Sequence, residues 1–333
     1  MSLVVQAGTL KINFYDSQGG DEEFIMSSPN LLIVGSIGLD TVTTPFGHVE
    51  RVLGGTAVYA SCAAGAMCRP AVVGVVGDDF PQAYKELLQS KGVDLTCLES
   101  VPGATFHWIG SYEGDMNVAV TKDTRLGVFA DFSPKIPDSH RNIPFLFLGN
   151  IHPQLQLDVL NRMTGKPMVA ADSMNFWIER TPELLRQVVG RVQIMLLNDR
   201  EARMLSGKTN LLDAADHVLS LGPKVVIIKK GTHGAMLFMK NFIFTVPAIP
   251  LRAAKDPTGA GDTFAGGLMG YLAHRGDGSK RTLAQAMVMG TVMASFTVED
   301  FSLNRLAAVD RSAILERVEQ VKRLTAFGRI RLE

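Results

Sequence analysis

DPTGAGDTFAGGL, Asp256 through Leu268, sets an aspartate on either side of a Gly-Ala-Gly turn and then runs into MGYLAH, a helical continuation. A turn built from Gly259, Ala260 and Gly261 that feeds a helix exposes unpaired N–H groups at the positive end of the helix dipole. That combination binds anions. Asp262, one step into the helix, would face whatever those N–H groups hold. Like charges repel, so a carboxylate is out of place in a site that merely binds phosphate. It suits a site where it accepts a proton from a hydroxyl attacking that phosphate. The plain alternative is that Asp262 caps the helix and the glycines allow close packing, and the turn by itself does not separate the two.

Working outward, strand-like and helix-like pieces alternate. LLIVGSIG (31–38) is a continuous apolar run ending in Gly, as a buried parallel strand should be. AVVGVVG (71–77), PFLFLGN (144–150), MVAAD (168–172), VQIMLLN (192–198) and KVVIIKKG (224–231) read as further strands. Helices are expected over 56–67, 80–92, 181–192, 211–222, 281–299 and 311–327. This rhythm predicts an α/β fold, a doubly wound and mostly parallel sheet flanked by helices. Two segments break it. Residues 105–134, and 41–53 with them, alternate polar and apolar residues among turn formers, with no helical period. They predict a small group of antiparallel strands standing off the main sheet, placed to act as a lid. Residues 1–30 are polar and Gly-rich, with a second Met-Ser at Met26–Ser27, and read as an N-terminal extension in which LVVQAG and LKINF could pair as a hairpin.

The bulk numbers exclude several classes. The chain has 333 residues, with 46% apolar and 20% charged, an ordinary globular balance. Lys plus Arg and Asp plus Glu are both 33, so no general attraction to nucleic acid or an anionic membrane is implied. No apolar run reaches membrane-spanning length. Cys62, Cys68 and Cys97 form no CxxC pair or disulfide framework, which fits a reducing, cytoplasmic compartment. Of the seven histidines, His107, His152, His217 and His233 show no metal-ligand spacing.

The opening string is similar to the C-terminal signature of the PfkB/ribokinase family of ATP-dependent carbohydrate and nucleoside kinases. Other stretches match the family in the same order. GSIGLD (35–40) resembles its first strand and substrate aspartate, and GGTAVYAS (54–61) its N-terminal Gly-Gly signature. NDREARMLSG (198–207) resembles its Asn-x-x-Glu segment, and IIKKGTHGAML (227–237) the Gly-x-x-Gly turn bordering the nucleotide. The resemblance covers about residues 31–325 and implies a ribokinase-like domain over 31–327.

Carried over residue by residue, the resemblance makes Asp262 the catalytic base and Gly259, Ala260 and Gly261 the anion hole. Asp40 would take substrate hydroxyls, two of which an ionised carboxylate can accept at once, while Gly54 and Gly55 would let the backbone approach the substrate. Asn150 and Asp172, at strand ends, are further substrate candidates. Asn198 and Glu201 would organise water and Mg²⁺ around the ATP phosphates, Glu201 through water, although Asn198 also reads as an ordinary helix cap. Lys230, Gly231, Gly234 and Thr258 would border ATP. Asp256 matches a position that in several members holds a monovalent cation. The later loop TVEDFS (297–302) lacks the Gly-containing turn of ribokinase itself, which counts against potassium activation.

The implied reaction moves the γ-phosphoryl of ATP to a hydroxyl of a small polyol. The acceptor is a nucleoside or a sugar, and an inositol remains an alternative. Phe46, Phe106, Trp108 and Tyr112 in the lid segments favour a nucleoside, since a base needs apolar walls; GGTAVYA in place of the GGKGAN form counts against ribose. Phe176 and Trp177 are read in a loop after Asp172, as stacking or packing aromatics. A catalytically silent binding protein of the same fold is the competing class, and the intact Asp262 with its Gly-Ala-Gly turn argues against it. A dinucleotide dehydrogenase fails because GSIG lacks G-x-G-x-x-G. Apolar lid strands would favour a homodimer through the lid.

Overall fold

The computed structural model describes residues 28–114 and 116–328, so nearly all of the N-terminal extension, including the suggested hairpin, lies outside the described residues. Thirteen strands are described: β1 (Leu31–Val34), β2 (Gly38–Thr44), β3 (Gly47–Gly54), β4 (Pro70–Val76), β5 (Leu98–Ser100), β6 (Phe106–Tyr112), β7 (Ala119–Arg125), β8 (Phe145–Leu148), β9 (Met168–Ala171), β10 (Ile194–Asn198), β11 (Val225–Lys229), β12 (Ala235–Met239) and β13 (Phe242–Val246). Nine of them form the main sheet, in the order β13-β12-β11-β10-β9-β8-β1-β4-β5. Its first seven strands in the chain run parallel; β12 and β13 return antiparallel as a hairpin. The hairpin turns at Lys240–Asn241, with Asn241 at φ 59°, the left-handed geometry that asparagine tolerates.

β1 shows why an apolar run with no alternation makes a central strand. Leu31 and Ile33 point into one core and Leu32 and Val34 into the other, and all four are fully buried. The first core is closed by α1 (Thr56–Ala64), α2 (Gln82–Ser90), and, further along the chain, by residues of Ala260–Arg275, Lys280–Thr297, Asn304–Ala307 and Arg311–Thr325. The second is closed by α3 (Pro153–Arg162), α4 (Asn175–Arg180), α5 (Pro182–Val189), α6 (Asp199–Ser206) and α7 (Leu211–Ser220). The four late helices are α8 to α11 in the order given. The sheet is therefore doubly wound, as the alternation predicts.

All nine residues of α1 are buried, because this helix is wedged between the sheet and α8. The approach is close enough to need glycine. A Cβ on Gly270 would come within 2.8 Å of the Ala64 backbone, and one on Gly266 would overlap that of Ala60. On another face of α8, a Cβ on Gly267 would meet the Met289 carbonyl at 3.0 Å in α9.

The rhythm-breaking segments form a separate four-stranded sheet, β3-β2-β6-β7. β2 pairs antiparallel with β3 and parallel with β6, which pairs antiparallel with β7. Only three residues separate β1 from β2, so this second sheet stands over the carboxyl ends of the main strands. Two local expectations are corrected. The lid strands are not all antiparallel, because β2 and β6 run side by side in the same direction. Asn175–Trp177 do not lie in a loop but open helix α4, which starts without a polar cap and lasts six residues, too few for a periodic signal.

Candidate active site

The carboxyl ends of β1, β8, β9, β10 and β11 deliver, in chain order, Asp40 at the start of β2, Asn150, Asp172, Asn198 and Lys229. This is the rim where open parallel sheets place their ligands. The Gly-Ala-Gly turn completes it from the side. Gly259 is the N-cap of α8 at φ 74°, and a Cβ there would run into the ring of Tyr59 on α1. The turn is thus a left-handed entry whose bare face is filled by an aromatic ring. The Ala260 N–H donates back to the Pro257 carbonyl at 3.1 Å, whereas Gly261 and Asp262 are first-turn donors without an acceptor inside the helix.

Asp262 stands at the third position of α8, half-buried, with the Thr56 hydroxyl at the start of α1 close enough to favour its ionised form. Burial, and then the neighbouring Asp172 carboxylate, push its pKa up to about 7; the Lys229 ammonium and Thr56 pull the other way. Asp40 is 4% exposed and likewise sits at about 7, raised by burial and then by the charges of Asp256 and Asp262. Two carboxyls close enough for the charge of one to act on the other are thus both poised near neutrality.

The Gly-Gly pair serves Asp40 directly. A Cβ on Gly54 would overlap the Asp40 carboxylate, so the missing side chain is what lets that group fit. Gly55, at φ 99°, caps α1 and offers its backbone N–H to the same carboxylate. The register of the second sheet sets Trp108 directly beside Asp40, on the same face of adjacent parallel strands. Tyr112, two pleats on, reaches the turn: the Thr258 hydroxyl lies 3.3 Å from its phenol oxygen. Burial first, with a cluster of carboxylates, drives the Tyr112 pKa upward, so it stays a neutral hydroxyl.

Asn198 and Glu201 make a capping box. The Glu201 N–H donates to Asn198 Oδ1 at 2.8 Å, and the Asn198 N–H donates to Glu201 Oε2 at 2.7 Å. Burial, and after it Asp172, raise the Glu201 pKa. Asn150 accepts a hydrogen bond from Trp177 Nε1 at 3.0 Å, and Trp177 stands edge-on to both His152 and Phe176. Thr258 N–H donates to Asp256 Oδ1 at 2.9 Å, while Asp256 Oδ2 is buried with no hydrogen-bond partner among the described residues. Lys230, Gly231 and Gly234 form the tight link from β11 to β12, closed by Lys230 N–H to the Gly234 carbonyl at 2.8 Å. Asp172 is used by the protein itself: Oδ2 lies 2.6 Å from Lys229 Nζ, and Oδ1 accepts from the Ser173 N–H at 2.9 Å.

Sequence reasoning missed Lys229, Thr56 and Tyr59. A lysine closing the otherwise apolar strand VVIIK was a signal for the first. Nothing in the string marks the other two, which matter only because α1 and α8 lie side by side.

Residues 155–307 match the pfkB family carbohydrate kinase model. A cytidine kinase from Thermococcus kodakarensis is 32% identical over 249 residues, which cover 73% of this chain and 88% of that one. The chain belongs to the PfkB family. The kinase is thus a phosphotransferase with an alcohol group as acceptor, of the nucleoside and carbohydrate class. Its fold is shared with solved structures of lower identity. A nucleoside kinase from Methanocaldococcus jannaschii, described as an archaeal member of the ribokinase family, superposes with a TM-score of 0.70 at 20% identity, covering 87% of the kinase and 98% of that chain. The ribokinase of Arabidopsis thaliana, solved with ribose and ATP, gives 0.69 at 20% identity, over 88% and 99% of the two chains. Among the described residues no helix is long and apolar enough to cross a membrane.

Proposed function

We propose that the kinase transfers the γ-phosphoryl group of ATP to a ribose hydroxyl of a nucleoside. The observation that carries this reading is the pairing of Asp40 with Trp108 on one face of the second sheet, opposite Asp262. A carboxylate that can take two vicinal hydroxyls beside an indole that can wall a base matches a nucleoside better than a free sugar. The solved relatives that bind nucleosides and ATP support the same acceptor and donor classes. Asp262 takes the proton of the attacking hydroxyl, and the oxygen–phosphorus bond forms as the bond to the β-phosphate oxygen breaks, releasing ADP. The first-turn N–H groups of α8 face the charge on the transferred group. The second sheet serves as a lid, held to the turn by Tyr112 and Thr258, and excludes water as a competing acceptor. Asn150 keeps its amide N–H₂ as a donor for the substrate. Lys230, Gly231 and Gly234 border the nucleotide.

Magnesium fits the donor set. No group of three histidine, cysteine or carboxylate side chains able to hold a metal occurs among the described residues. An ion that keeps its waters and leans on substrate phosphates needs fewer protein ligands, and Glu201 would act through water. When bound, it supplies charge neutralisation at the phosphates. Potassium fits poorly. Asp256 Oδ2 is available, but the Val298 carbonyl opposite already accepts Lys255 N–H at 2.7 Å and Asp256 N–H at 3.4 Å, and a Lys255–Asp300 ion pair joins the two loops.

The test is ADP release from Mg·ATP across nucleosides, ribose, fructose, other sugars and myo-inositol, run beside Asp262→Asn. We expect stimulation by nucleosides and its loss in the variant, by about 10³-fold or more. Stimulation by free sugars alone would move the acceptor class; full turnover by the variant would remove Asp262 as base.

A further inference from the structure

We infer that Lys229 is a catalytic residue: its ammonium group, held beside the anion turn by Asp172, contacts the γ-phosphoryl group during transfer. This rests on the kinase reading above and adds a residue to it.

The geometry comes first. Lys229 Nζ lies 2.6 Å from Asp172 Oδ2, and both side chains are largely buried, at 17% and 5% exposure. A Cβ built on Gly261 would stand 3.3 Å from the same Nζ. The ammonium therefore lies against the bare face of the residue whose N–H opens the phosphate turn. A side chain at 261 would make Lys229 yield by a few tenths of an ångström, so glycine there leaves the ammonium its room.

A buried ion pair is an expensive way to stabilise a fold. Apolar residues of similar size often do as well or better. This one closes β9 and β11 across the intervening β10, at the rim where the ligand enters rather than in either core. Burial works against the ammonium, yet the carboxylates of Asp172 and Glu201 outweigh it and hold it charged.

The charge balance points the same way. Around the turn stand Asp172 after β9, Glu201 from α6, Asp262 from α8 and Asp40 from β2, and the charge of Lys229 acts on both Glu201 and Asp262. A phosphoryl group bearing several negative charges would meet mostly carboxylates there. The turn offers fewer donors than its sequence promises, since the Ala260 N–H is already bonded to Pro257. A fixed ammonium beside Gly261 supplies the missing positive charge, and it does so without solvent reorganisation because Asp172 already orients it. Lys230, the neighbouring residue, belongs to the β11–β12 turn and does not share this position.

The same ammonium lowers the proton affinity of Asp262. That base is faced by Asp172 and Lys229 from strand ends, by Thr56 and the Tyr59 phenol from α1, and by Asp40 and Tyr112 from the second sheet. Removing the one cation leaves carboxylates and neutral hydroxyls, so the pKa of Asp262 must rise.

Lys229→Met and Lys229→Arg test the inference, with thermal melting to establish that each is folded and Lys229→Gln in reserve should the Met variant not fold. The first readout needs no acceptor: the affinity for a non-hydrolysable ATP analogue divided by that for ADP, by calorimetry. Loss of a charge-assisted contact to the γ-phosphate should lower that ratio about tenfold in the Met variant and leave it within about threefold in the Arg variant. In turnover, kcat should fall by about 10²–10³-fold, with the acid limb of its pH profile displaced to higher pH. A lysine that never reaches the phosphate would move the limb through its charge on Asp262 but leave the ratio where it is. An unchanged ratio in the Met variant overturns the inference. Failure of the kinase reading looks different: no acceptor would stimulate the wild type, or Asp262→Asn would turn over fully.

Discussion

Asp262 and Asp40 are ordinary aspartates in the string and unusual ones in the fold. Each loses water on burial and gains a like-charged neighbour, and both effects favour the protonated form. The consequence for rate has a definite sign. A general base works only when ionised, so a pKa raised to about 7 means that activity grows as the pH rises through neutrality. The kcat/KM profile should show an ascending limb centred near pH 7, with about a tenth of the maximum one unit below it. An ascending limb near pH 4 would mean that the base is a solvated carboxylate. At this scale the sequence was informative about identity and silent about state. Asp262 was marked by its Gly-Ala-Gly context and Asp40 by its position after the first strand, but the neighbours that set their protonation come from four other elements. Lys229 and Lys230 show the limit well. Two adjacent lysines carry the same label in a string, and only the pleat of β11 and the position of Asp172 decide which one pairs with that carboxylate beside the Gly-Ala-Gly turn.

The helix α8 resolves why DPTGAGDTFAGGL is so rich in glycine. Gly259 and Gly261 shape the turn, one through a positive φ under the Tyr59 ring and the other by leaving space for Lys229. Gly266 and Gly267 serve packing against α1 and α9. Close packing accounts for Gly266 and Gly267, and the proposed phosphate turn draws on Gly259 and Gly261. Gly259→Ala should therefore damage the start of the helix more than an average surface change. Left-handed strain of about 1–3 kcal/mol adds to the overlap with Tyr59. The expected result is a clearly lowered melting temperature by calorimetry, with loss of ATP affinity; a variant that melts like wild type would show that the turn relaxes freely. Elements with full apolar runs or clear caps were readable from sequence alone. α4 was not, because six residues carry too little period and Met174 gives no capping signal.

At the scale of the molecule, two sheets of different character meet at the site. The central strands of the main sheet are buried on both faces; β7 of the second sheet is exposed along its whole length, and Phe46 in the β2–β3 turn, Val118 just before β7 and Val120 within it are 54%, 61% and 41% exposed. Apolar side chains on an exposed sheet support the proposal that a second copy of the kinase docks there, lid to lid. Light scattering should then give twice the 36.1 kDa chain mass at micromolar concentration, and Val120→Lys should return it to the single-chain value. A wild-type mass equal to one chain would end that proposal.

The alternation of apolar strands with helices determined the doubly wound sheet without help, since a strand buried on both faces must be apolar throughout and its connections must cover it. The ordered series of Gly-rich and acidic stretches carried the resemblance to the PfkB family, and with it the expected phosphoryl transfer. What the tertiary structure alone decided was which groups share a dielectric environment. Burial and charge act through space, so the neutral-range carboxyls, the Asp172–Lys229 pair and the Trp108 wall beside Asp40 exist only once distant strand ends converge on one rim.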